Sequence, residues 1–289
     1  MNVLPPDAVR NLVRAALAED IGAGDITTES MIPSDLQVRT VVVAREPCVV
    51  AGMPLVEAVF AELDPKIEIK IFVHEGELAE LRQQVCSITG SARFILTGER
   101  SALNFLQRLS GIATLTREFV EAVSGTKAKI LDTRKTTPTL RVLEKYAVAV
   151  GGGENHRMGL FDAVMIKDNH RAILARLGPK ALGDAVATAR KLHPGVPTII
   201  EADAFEQIEE AVAAGADQIL LDNMTLDELR DAVTLVAGRA KLEASGGVRL
   251  ANVADIAATG VDYISVGALT HSARAVDFSL EIVGQTEIV

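Results

Sequence analysis

The sequence contains no tryptophan, and aromatic residues make up only 3% of its 289 residues. Surfaces that bind single-stranded nucleic acid need aromatic rings on which bases can stack, so the composition disfavours this class. Positive charge is also scarce, because 29 Lys and Arg residues stand against 39 Asp and Glu residues and leave a net charge of −10. General binding of nucleic acid or of an anionic membrane needs a basic surface, so we expect neither partner.

Cysteines and long apolar runs are few as well. The two cysteines, Cys48 and Cys86, show no metal-ligand spacing and stand in apolar stretches, which predicts buried free thiols in a reducing compartment. No apolar run approaches the roughly 20 residues that a membrane helix requires. The start, MNVLPPDAVR, lacks the basic residues and long apolar segment of a signal peptide. We therefore expect a soluble, cytoplasmic protein.

Three common catalytic motifs are missing: the GxxxxGK[ST] phosphate loop, the HExxH zinc helix and the GxSxG nucleophile turn. The GAGD segment at 22–25 is too short and too early for a dinucleotide fingerprint. Hydrophobic residues nevertheless make up 48% of the chain, which is ample for one large domain or for a medium domain and a small one. Any chemistry must come from another arrangement of residues.

The first hundred residues have the pattern of mixed helix and antiparallel strand. An apolar stripe predicts a helix over 7–20, and KIEIKIFV alternates as a strand does. A long helical pattern is predicted to begin at about residue 99, with Gly111 bending or breaking it. Arg100 would then lie at the positive end of the helix dipole, where a cation is disfavoured, which indicates that it has another task.

After residue 125 the pattern changes to short apolar strands with polar residues at their C-terminal ends. The six segments are AKILDTRK, AVMIKDNH, PTIIEAD, QILLDN, AKLEASGG and DYISVGALTH. Helices are predicted between most of them, over 181–192, 204–214 and 226–237. This alternation is typical of a parallel sheet and predicts a barrel or part of one, with a doubly wound sheet as the alternative. In both folds functional groups gather at the carboxyl ends of the strands.

The predicted strand ends carry three kinds of group. In chain order they are Arg134 and Lys135, Lys167 and His170, Glu201, Asp222, Ser245–Gly247, and Gly267 to Ser272. Clustered cations are typical of a pocket for carboxylates or phosphates, and separate carboxylates suit ribose hydroxyls or hydrated Mg²⁺. The two small-residue turns allow a phosphate to approach the backbone.

Structural roles remain open for several of these residues. The GGGENHR segment, residues 151–157, also fits a flexible turn, and His156 fits a loop histidine. Glu201 and Asp222 also fit carboxylates that stabilise the starts of the following helices. The residues alone therefore indicate a barrel-like enzyme for anionic and phosphorylated ligands.

The chain resembles the quinolinate phosphoribosyltransferase family, also called carboxylating nicotinate-nucleotide pyrophosphorylases. The resemblance is carried by AEDIGAGDITTESMIP, AGMPL, ERSALNFLQRLSGIATLT, DTRKTTPTLR, KYAVAVGGGENHRMGL, MIKDNH, LLDN, SGG and VGALTHS, in this order. It implies a pentosyltransferase of de novo NAD biosynthesis, which joins quinolinate to phosphoribosyl pyrophosphate with Mg²⁺ and yields nicotinate mononucleotide, pyrophosphate and CO₂. One departure is Thr139, which stands where the family pattern has Gly.

The resemblance also implies an α/β fold of two domains. An N-terminal α/β sandwich over residues 1–114, joined by the C-terminal residues 275–289, would be followed by an incomplete, seven-stranded α/β barrel over 115–274. It further implies a homodimer whose active site is completed by Arg100 of the neighbouring subunit. Assembly of such dimers into hexamers is left open.

The resemblance assigns roles to individual strand-end residues. Catalytic roles are expected for Lys135, Lys167, Glu201 and Asp222. Glu201 and Asp222 would also face ribose and hold Mg²⁺, partly through water and the pyrophosphate substrate. The substrate-binding set comprises these four residues with Arg100, Thr133, Arg134, His156, Arg157, Ser245, Gly246, Gly247, Val266, Gly267 and Ala268.

Two alternatives to this function are retained. One is a paralogue associated with molybdenum transport, which shares the fold and much of the pattern. The other is a non-catalytic anion-binding barrel. The cationic run formed by TRK, HR and the lysine of MIKDNH favours quinolinate over the first alternative. Carboxylates opposite a cationic pocket would have little use in the second.

Overall fold

The fold is described from a computed structural model, for residues 4–178 and 180–283. The chain forms two compact units. The first comprises the residues up to Arg117, Pro138–Gly152 and the residues from Ser272 onwards, and the second comprises Glu118–Thr137 and Gly153–His271. Pro138–Gly152 thus groups with the first unit, although the sequence-based boundary places it in the barrel domain.

Side-chain contacts account for this grouping. The Tyr146 hydroxyl donates to Glu75 Oε2 at 2.7 Å, and Arg108 Nη2 pairs with Glu144 Oε1 at 2.9 Å. Both contacts bind Pro138–Gly152 to residues before Arg117. Only contacts between residues distant in sequence decide this membership, so the strand pattern could not reveal it.

The first unit is built around an antiparallel sheet. Its elements are α1 (Pro6–Ile21), α2 (Ile26–Met31), β1 (Gln37–Ala44), β2 (Cys48–Val49), α3 (Met53–Leu63), β3 (Glu68–Ile71), β4 (Leu78–Ala79), β5 (Gln84–Ser91), the start of α4 (Ala92–Ala122), α5 (Arg141–Val150) and β12 (Phe278–Ile282). The sheet order is β12-β1-β5-β3, and β2 pairs with β4. All of these pairings are antiparallel.

The second unit is built around a parallel sheet. Its elements are β6 (Lys129–Leu131), β7 (Val164–Ile166), α6 (Asp168–Ala175), α7 (Ala181–Leu192), β8 (Thr198–Ala202), α8 (Phe205–Ala213), β9 (Gln218–Asp222), α9 (Leu226–Val236), β10 (Lys241–Ser245), α10 (Leu250–Ala258), β11 (Tyr263–Ser265) and α11 (Ala268–His271). All six strands predicted from the sequence are confirmed. The three predicted helices are confirmed as well, and their ends agree with the prediction to within one residue.

The strand order of this sheet is β6-β11-β10-β9-β8-β7, and every pairing is parallel. A single parallel bridge from Leu131 to Glu154 extends the row beyond β6. Within the described residues no pairing joins β7 to the other end, so the barrel is incomplete as predicted. The predicted count of seven strands was too high, because the seventh position is only this one-residue bridge.

Buried apolar side chains on and beside the strands stabilise the parallel sheet. Ala163, Ile199 and Leu220 form one cluster, against which Met165 packs. Strands covered on both faces are apolar along their length rather than alternating, which explains why their sequences are short continuous apolar runs. No helix within 4–178 and 180–283 is long and apolar enough to span a bilayer.

Cys48 and Cys86 are both free and fully buried, as predicted. Burial raises the pKa of the Cys48 thiol to about 11, with a further contribution from the charge of Glu46. Burial also raises the pKa of the Cys86 thiol to about 12. Neither thiol is therefore a nucleophile at neutral pH.

Helix α4 begins at Ala92, seven residues before the predicted start, and runs unbroken through Gly111 to Ala122. Gly111, which suggested a bend, has a packing role instead, as does Gly98. A Cβ on Gly98 would lie 2.7 Å from Leu63 Cδ1, and a Cβ on Gly111 would lie 1.9 Å from the carbonyl oxygen of Arg274. Arg100 is consequently inside the helix and not at its positive end, so that part of its interpretation was wrong.

Gly111→Ala is expected to lower the free energy of unfolding by at least about 2 kcal/mol, because the added methyl forces the Arg274 backbone away. Gly183→Ala in α7 is the matched control, since a Cβ there has no atom within 4 Å. Alanine favours a helix over glycine by up to ~1 kcal/mol, so this control should be neutral or stabilising. Denaturant unfolding of both variants measures the difference, and equal effects would contradict the packing role.

Thr139, the residue that departs from the family pattern, has a φ of 69°. This left-handed backbone conformation disfavours a β-branched side chain by roughly 1–2 kcal/mol and is natural for glycine. The Thr139 side chain is exposed and lies in the turn that precedes α5. The chain therefore keeps the glycine-type turn with a strained residue in it.

Thr139→Gly is expected to stabilise the protein by about 0.5–1 kcal/mol, since the released strain exceeds the additional backbone entropy of glycine in the unfolded chain. Thermal denaturation should show a midpoint about 1–3 °C higher. Thr139→Ala keeps a Cβ at the same φ and should gain less. A midpoint for the alanine variant equal to or above that of the glycine variant would rule out backbone strain as the cause.

Candidate active site

The predicted site residues of the second unit lie at one edge of its parallel sheet. Glu201 is the penultimate residue of β8, and Asp222 and Ser245 are the last residues of β9 and β10. Short segments after β6, β7 and β11 supply the others: Thr133 to Lys135, Lys167, and Val266 to Ala268. Because all six strands are parallel, their carboxyl ends share this edge. The topology alone therefore brings together residues that are up to 135 positions apart.

Two arginines form the cationic part of the site. The pKa of Arg157 is lowered first by burial and then by the positive charge of Arg134, while Asp162 opposes the shift. A negative charge stabilises two neighbouring guanidinium groups, and Asp162 supplies part of that charge to Arg157. The Arg157 side chain is anchored by Nη1, which donates to the carbonyl oxygen of Ala163 at 3.3 Å. An anion with two negative charges would match this pair of arginines.

Lysines and carboxylates form a second group beside this pair. Lys167 Nζ donates to Glu201 Oε2 at 2.9 Å. The pKa of Asp222 is raised, first by burial and then by the charge of Glu201. Lys167 and Lys135 oppose that shift, so Glu201 and both lysines are within electrostatic range of Asp222. The predicted catalytic residues Lys135, Lys167, Glu201 and Asp222 are thus brought together.

Two glycine turns border these side chains. Gly246, with a φ of 92°, leaves no room for a side chain, because a Cβ would lie 2.1 Å from Asn223 Oδ1. Asn223 Nδ2 in turn donates to Asp222 Oδ2 at 2.9 Å. On the other side of the site, a Cβ on Gly267 would lie 3.2 Å from Lys135 Cδ. The turns therefore pack directly against the charged residues.

The loop after β6 is fixed by its own hydrogen bonds. The backbone N–H of Lys135 donates to Thr133 Oγ1 at 3.0 Å, and Thr270 Oγ1 donates to the Lys135 carbonyl at 2.7 Å. Thr133 thus supports the loop through its side chain. Lys135 is held at its backbone while its side chain remains exposed.

Two residues of the predicted site differ from the others in burial or in position along the chain. The His156 side chain is only 7% exposed, and its Nε2 lies 3.4 Å from Glu243 Oε2. Arg100 is exposed and belongs to the first unit, on α4. Its proposed position in a partner's site stays a prediction.

Sequence reasoning missed the supporting residues Asp132, Asn155, Asn223 and Glu243. Asp132 and Glu243 are fully buried. An available signal was an acid within or directly after an apolar strand, as in KILD and KLEAS. Asn155 and Asn223 gave no comparable signal, since asparagine is common in loops.

Asp222→Asn is expected to stabilise the unliganded protein while removing activity. A raised carboxyl pKa means that ionised Asp222 destabilises the folded state above that pKa, and the neutral amide removes this effect. The thermal midpoint at neutral pH should rise, and this gain should disappear as the pH falls through the Asp222 pKa. A lower midpoint at neutral pH would show that Asp222 supports the fold rather than function.

Comparison with known proteins assigns the chain to a family. The quinolinate phosphoribosyl transferase N-terminal domain matches residues 25–110, and the C-terminal domain of the same family matches residues 112–281. The chain belongs to the quinolinate phosphoribosyltransferase family. The six-stranded parallel sheet and its strand-end residues are therefore those of the family's C-terminal domain.

Individual relatives match over nearly the full chain. A carboxylating nicotinate-nucleotide pyrophosphorylase of Mycobacterium leprae is 43% identical, over 96% of this chain and 98% of that protein. A mitochondrial decarboxylating quinolinate phosphoribosyltransferase of Nicotiana glauca is 42% identical, over 96% of this chain and 83% of its own. The solved structure of the nicotinate-nucleotide pyrophosphorylase from Francisella tularensis superposes with a TM-score of 0.91 at 39% identity, covering 98% of each chain.

Proposed function

We propose that this protein is a quinolinate phosphoribosyltransferase of NAD biosynthesis. It would convert quinolinate and phosphoribosyl pyrophosphate into nicotinate mononucleotide, pyrophosphate and CO₂. The observation that carries the proposal is the neighbouring pair Arg134 and Arg157, at the same sheet edge as Lys135, Lys167, Glu201 and Asp222. Family membership supports the same reaction, since the Nicotiana glauca and Mycobacterium leprae relatives are named after it.

The cations suit quinolinate because this pyridine has two adjacent carboxylates. Arginine binds a carboxylate through two parallel hydrogen bonds, so Arg134 and Arg157 together match one dianion. Their mutual effect on the Arg157 pKa would be relieved when that dianion binds. Lys135 and Lys167 contribute further positive charge and would contact the substrate where ribose and pyridine meet.

Glu201 and Asp222 would face the ribose and the magnesium of the second substrate. Their two carboxylates suit a hard cation, and the raised pKa of Asp222 beside Glu201 would fall when such a cation binds. No group of three or more acidic, His or Cys side chains in 4–178 and 180–283 can hold a metal alone. Mg²⁺ would therefore share its coordination with water and pyrophosphate oxygens, and when bound it would neutralise the leaving group's charge.

The glycine turns would bind the 5′-phosphate. Ser245–Gly247 and Val266–Ala268 follow neighbouring strands, β10 and β11. Gly246 and Gly267 keep the backbone free of side chains there, so a phosphate can reach main-chain N–H groups. These turns border Asp222 and Lys135, which orients the ribose toward the pyridine.

The chemistry requires positioning and charge stabilisation rather than a covalent enzyme intermediate. As pyrophosphate leaves, C1 of the ribose becomes oxocarbenium-like, and carboxylates beside it stabilise that charge. The pyridine nitrogen then donates its electron pair to C1. The resulting pyridinium stabilises the electron pair left at C2 when the carboxylate departs as CO₂, and a proton takes the place of the carboxylate.

We also propose a homodimer in which Arg100 of each chain reaches the other chain's site. Arg100 is exposed on α4, so its side chain is accessible to a second chain. A cytoplasmic location is proposed as well, which suits two free buried thiols.

Purified protein should be incubated with quinolinate, phosphoribosyl pyrophosphate and Mg²⁺, with nicotinate mononucleotide and CO₂ as the measured products. Chelation of the metal should abolish turnover. Nicotinate, which lacks the C2 carboxylate, should have a kcat/KM lower by about 10⁴-fold, because the site's cations would be left unmatched. Comparable values for the two acids, or no product from quinolinate, would refute the proposal and favour a paralogue with another ligand.

A further inference from the structure

A buried carboxylate that the proposed chemistry does not use follows the first strand of the parallel sheet. Asp132 comes directly after β6 and is fully buried. Burying a carboxylate is unfavourable unless hydrogen bonds replace its lost contacts with water. The groups that donate to Asp132 therefore show what the protein gains from its charge.

The Asp132 side chain binds a segment that lies 23 and 24 positions further along the chain. Its Oδ1 accepts from the backbone N–H of His156 at 2.8 Å, and its Oδ2 accepts from Asn155 Nδ2 at 2.7 Å. The backbone N–H of Asp132 also donates to the Glu154 carbonyl at 3.2 Å. Both carboxylate oxygens thus extend the pairing that begins with the Leu131–Glu154 bridge.

Cationic residues of the candidate site stand next to both sides of this contact. Arg134 follows Asp132 by two positions, and Arg157 directly follows His156. The two arginines are close enough for the charge of Arg134 to lower the pKa of Arg157. Like charges repel each other, so the segments that carry these arginines need a contact that holds them side by side. A carboxylate shared between the segments provides that contact and adds a negative charge to a positively charged site.

We propose that Asp132 is a positioning residue for the anionic substrate. By binding Asn155 and His156 it fixes the segment that carries His156 and Arg157 beside the segment that carries Arg134. Positive groups from both segments then meet the same dianion, although Asp132 itself does not touch it. The inference rests on the proposed function only in naming quinolinate as that dianion.

Steady-state kinetics of Asp132→Asn give the first test. The substitution keeps the side-chain volume but replaces one acceptor by a donor, which then faces Asn155 Nδ2 or the N–H of His156. KM for quinolinate should rise about 10- to 100-fold, the size expected when a buried hydrogen bond to a charged group is lost and a donor is left unsatisfied. KM for phosphoribosyl pyrophosphate should change by less than about twofold, because its proposed site follows other strands. An unchanged KM for quinolinate would overturn the proposal.

An exchange of the two polar groups tests whether this particular contact is responsible. Asn155→Asp alone places two carboxylates where a donor and an acceptor now lie 2.7 Å apart, so it should also raise KM for quinolinate. Asp132→Asn combined with Asn155→Asp restores one donor and one acceptor there and leaves an oxygen at position 132 for the N–H of His156. KM for quinolinate should return to within about threefold of wild type. A double variant no better than the single variants would refute the positioning role.

Asp262→Asn is the matched control for a loss of stability. Asp262 directly precedes β11, and its Oδ2 accepts from the backbone N–H of Leu242 at 3.0 Å. The same kind of contact thus lies at the opposite, amino-terminal edge of the same sheet. Both aspartate variants should have a lower thermal midpoint, but only Asp132→Asn should change KM for quinolinate. Equal changes in KM would reduce Asp132 to a structural residue.

A milder variant serves if Asp132→Asn does not fold. Asn155→Ala removes one of the two contacts and leaves the buried carboxylate in place. It should raise KM for quinolinate about threefold, the size expected for one hydrogen bond, without changing KM for phosphoribosyl pyrophosphate. A wild-type KM for quinolinate in this variant would contradict the proposal.

Failure of the proposed function is distinguishable from failure of this inference. If wild-type protein forms no nicotinate mononucleotide, the reaction is wrong, and hydrogen exchange of the His156 amide still tests the contact without any substrate. Asp132→Asn should accelerate that exchange and Asp262→Asn should not, and equal exchange in both would overturn the inference. If wild-type protein uses quinolinate and Asp132→Asn has the same KM, the reaction stands and the positioning role falls.

Discussion

Arg157→Ala is expected to lower kcat/KM for quinolinate by about 10²- to 10³-fold, which corresponds to roughly 3–4 kcal/mol of lost transition-state stabilisation. The reason is that a desolvated dianion would lose one of its two matched guanidinium groups. The pKa of Arg157 is lowered by burial and by Arg134, so the free protein loses a repulsive interaction and should not be destabilised by that change. Steady-state kinetics and a thermal melt of the same sample measure both effects.

Two further variants separate charge from geometry. Arg157→Lys keeps the charge but not the two parallel hydrogen bonds and should recover only part of the activity. Arg230→Ala is the matched surface control, because Arg230 is exposed on α9 and its guanidinium pairs with Asp227, three residues earlier, at 2.6 Å. It should have wild-type activity. Near wild-type turnover in Arg157→Ala would remove this residue from the site.

A mixture of Arg100→Ala and Lys135→Ala proteins is expected to recover about a quarter of wild-type activity, although each alone is nearly inactive. If Arg100 completes the neighbour's site, one of the two sites in a mixed dimer has both wild-type residues. Random subunit exchange makes about half of the dimers mixed, and each mixed dimer has half of its sites intact. The estimate assumes independent sites.

Subunit exchange must be demonstrated separately, for instance with differently tagged chains recovered as one dimer. The matched control is a mixture of Lys135→Ala and Lys167→Ala proteins. Both lysines lie in the second unit near Asp222, so every site in that mixture lacks one of them and stays inactive. An exchanging Arg100→Ala and Lys135→Ala mixture without recovery would refute the shared site while leaving the reaction intact.

Much of the second unit follows from local sequence pattern. The apolar runs ending in Lys167, Glu201 and Asp222 predict both the strands and the position of these residues at the strand ends. A parallel strand is buried on both faces, so its signal is short, continuous and local. Helix α4 shows the limit of this reasoning, because its predicted start was seven residues late and Gly111 suggested a bend that is absent. Only the approach of Leu63 and of the Arg274 backbone shows why residues 98 and 111 are glycine.

The acidic charge and the family motifs are properties of the sequence itself. Its local pattern also predicts the alternating strands and helices and the charged residues at one sheet edge. Two features required the three-dimensional structure: Pro138–Gly152 joins the first unit, and the described residues of the parallel sheet form six strands and one bridge. The physical reason is that strand and helix formation depends on neighbours in the chain, whereas these features depend on contacts between residues farther apart, from the Leu131–Glu154 bridge to the Tyr146–Glu75 hydrogen bond, which joins residues 71 positions apart.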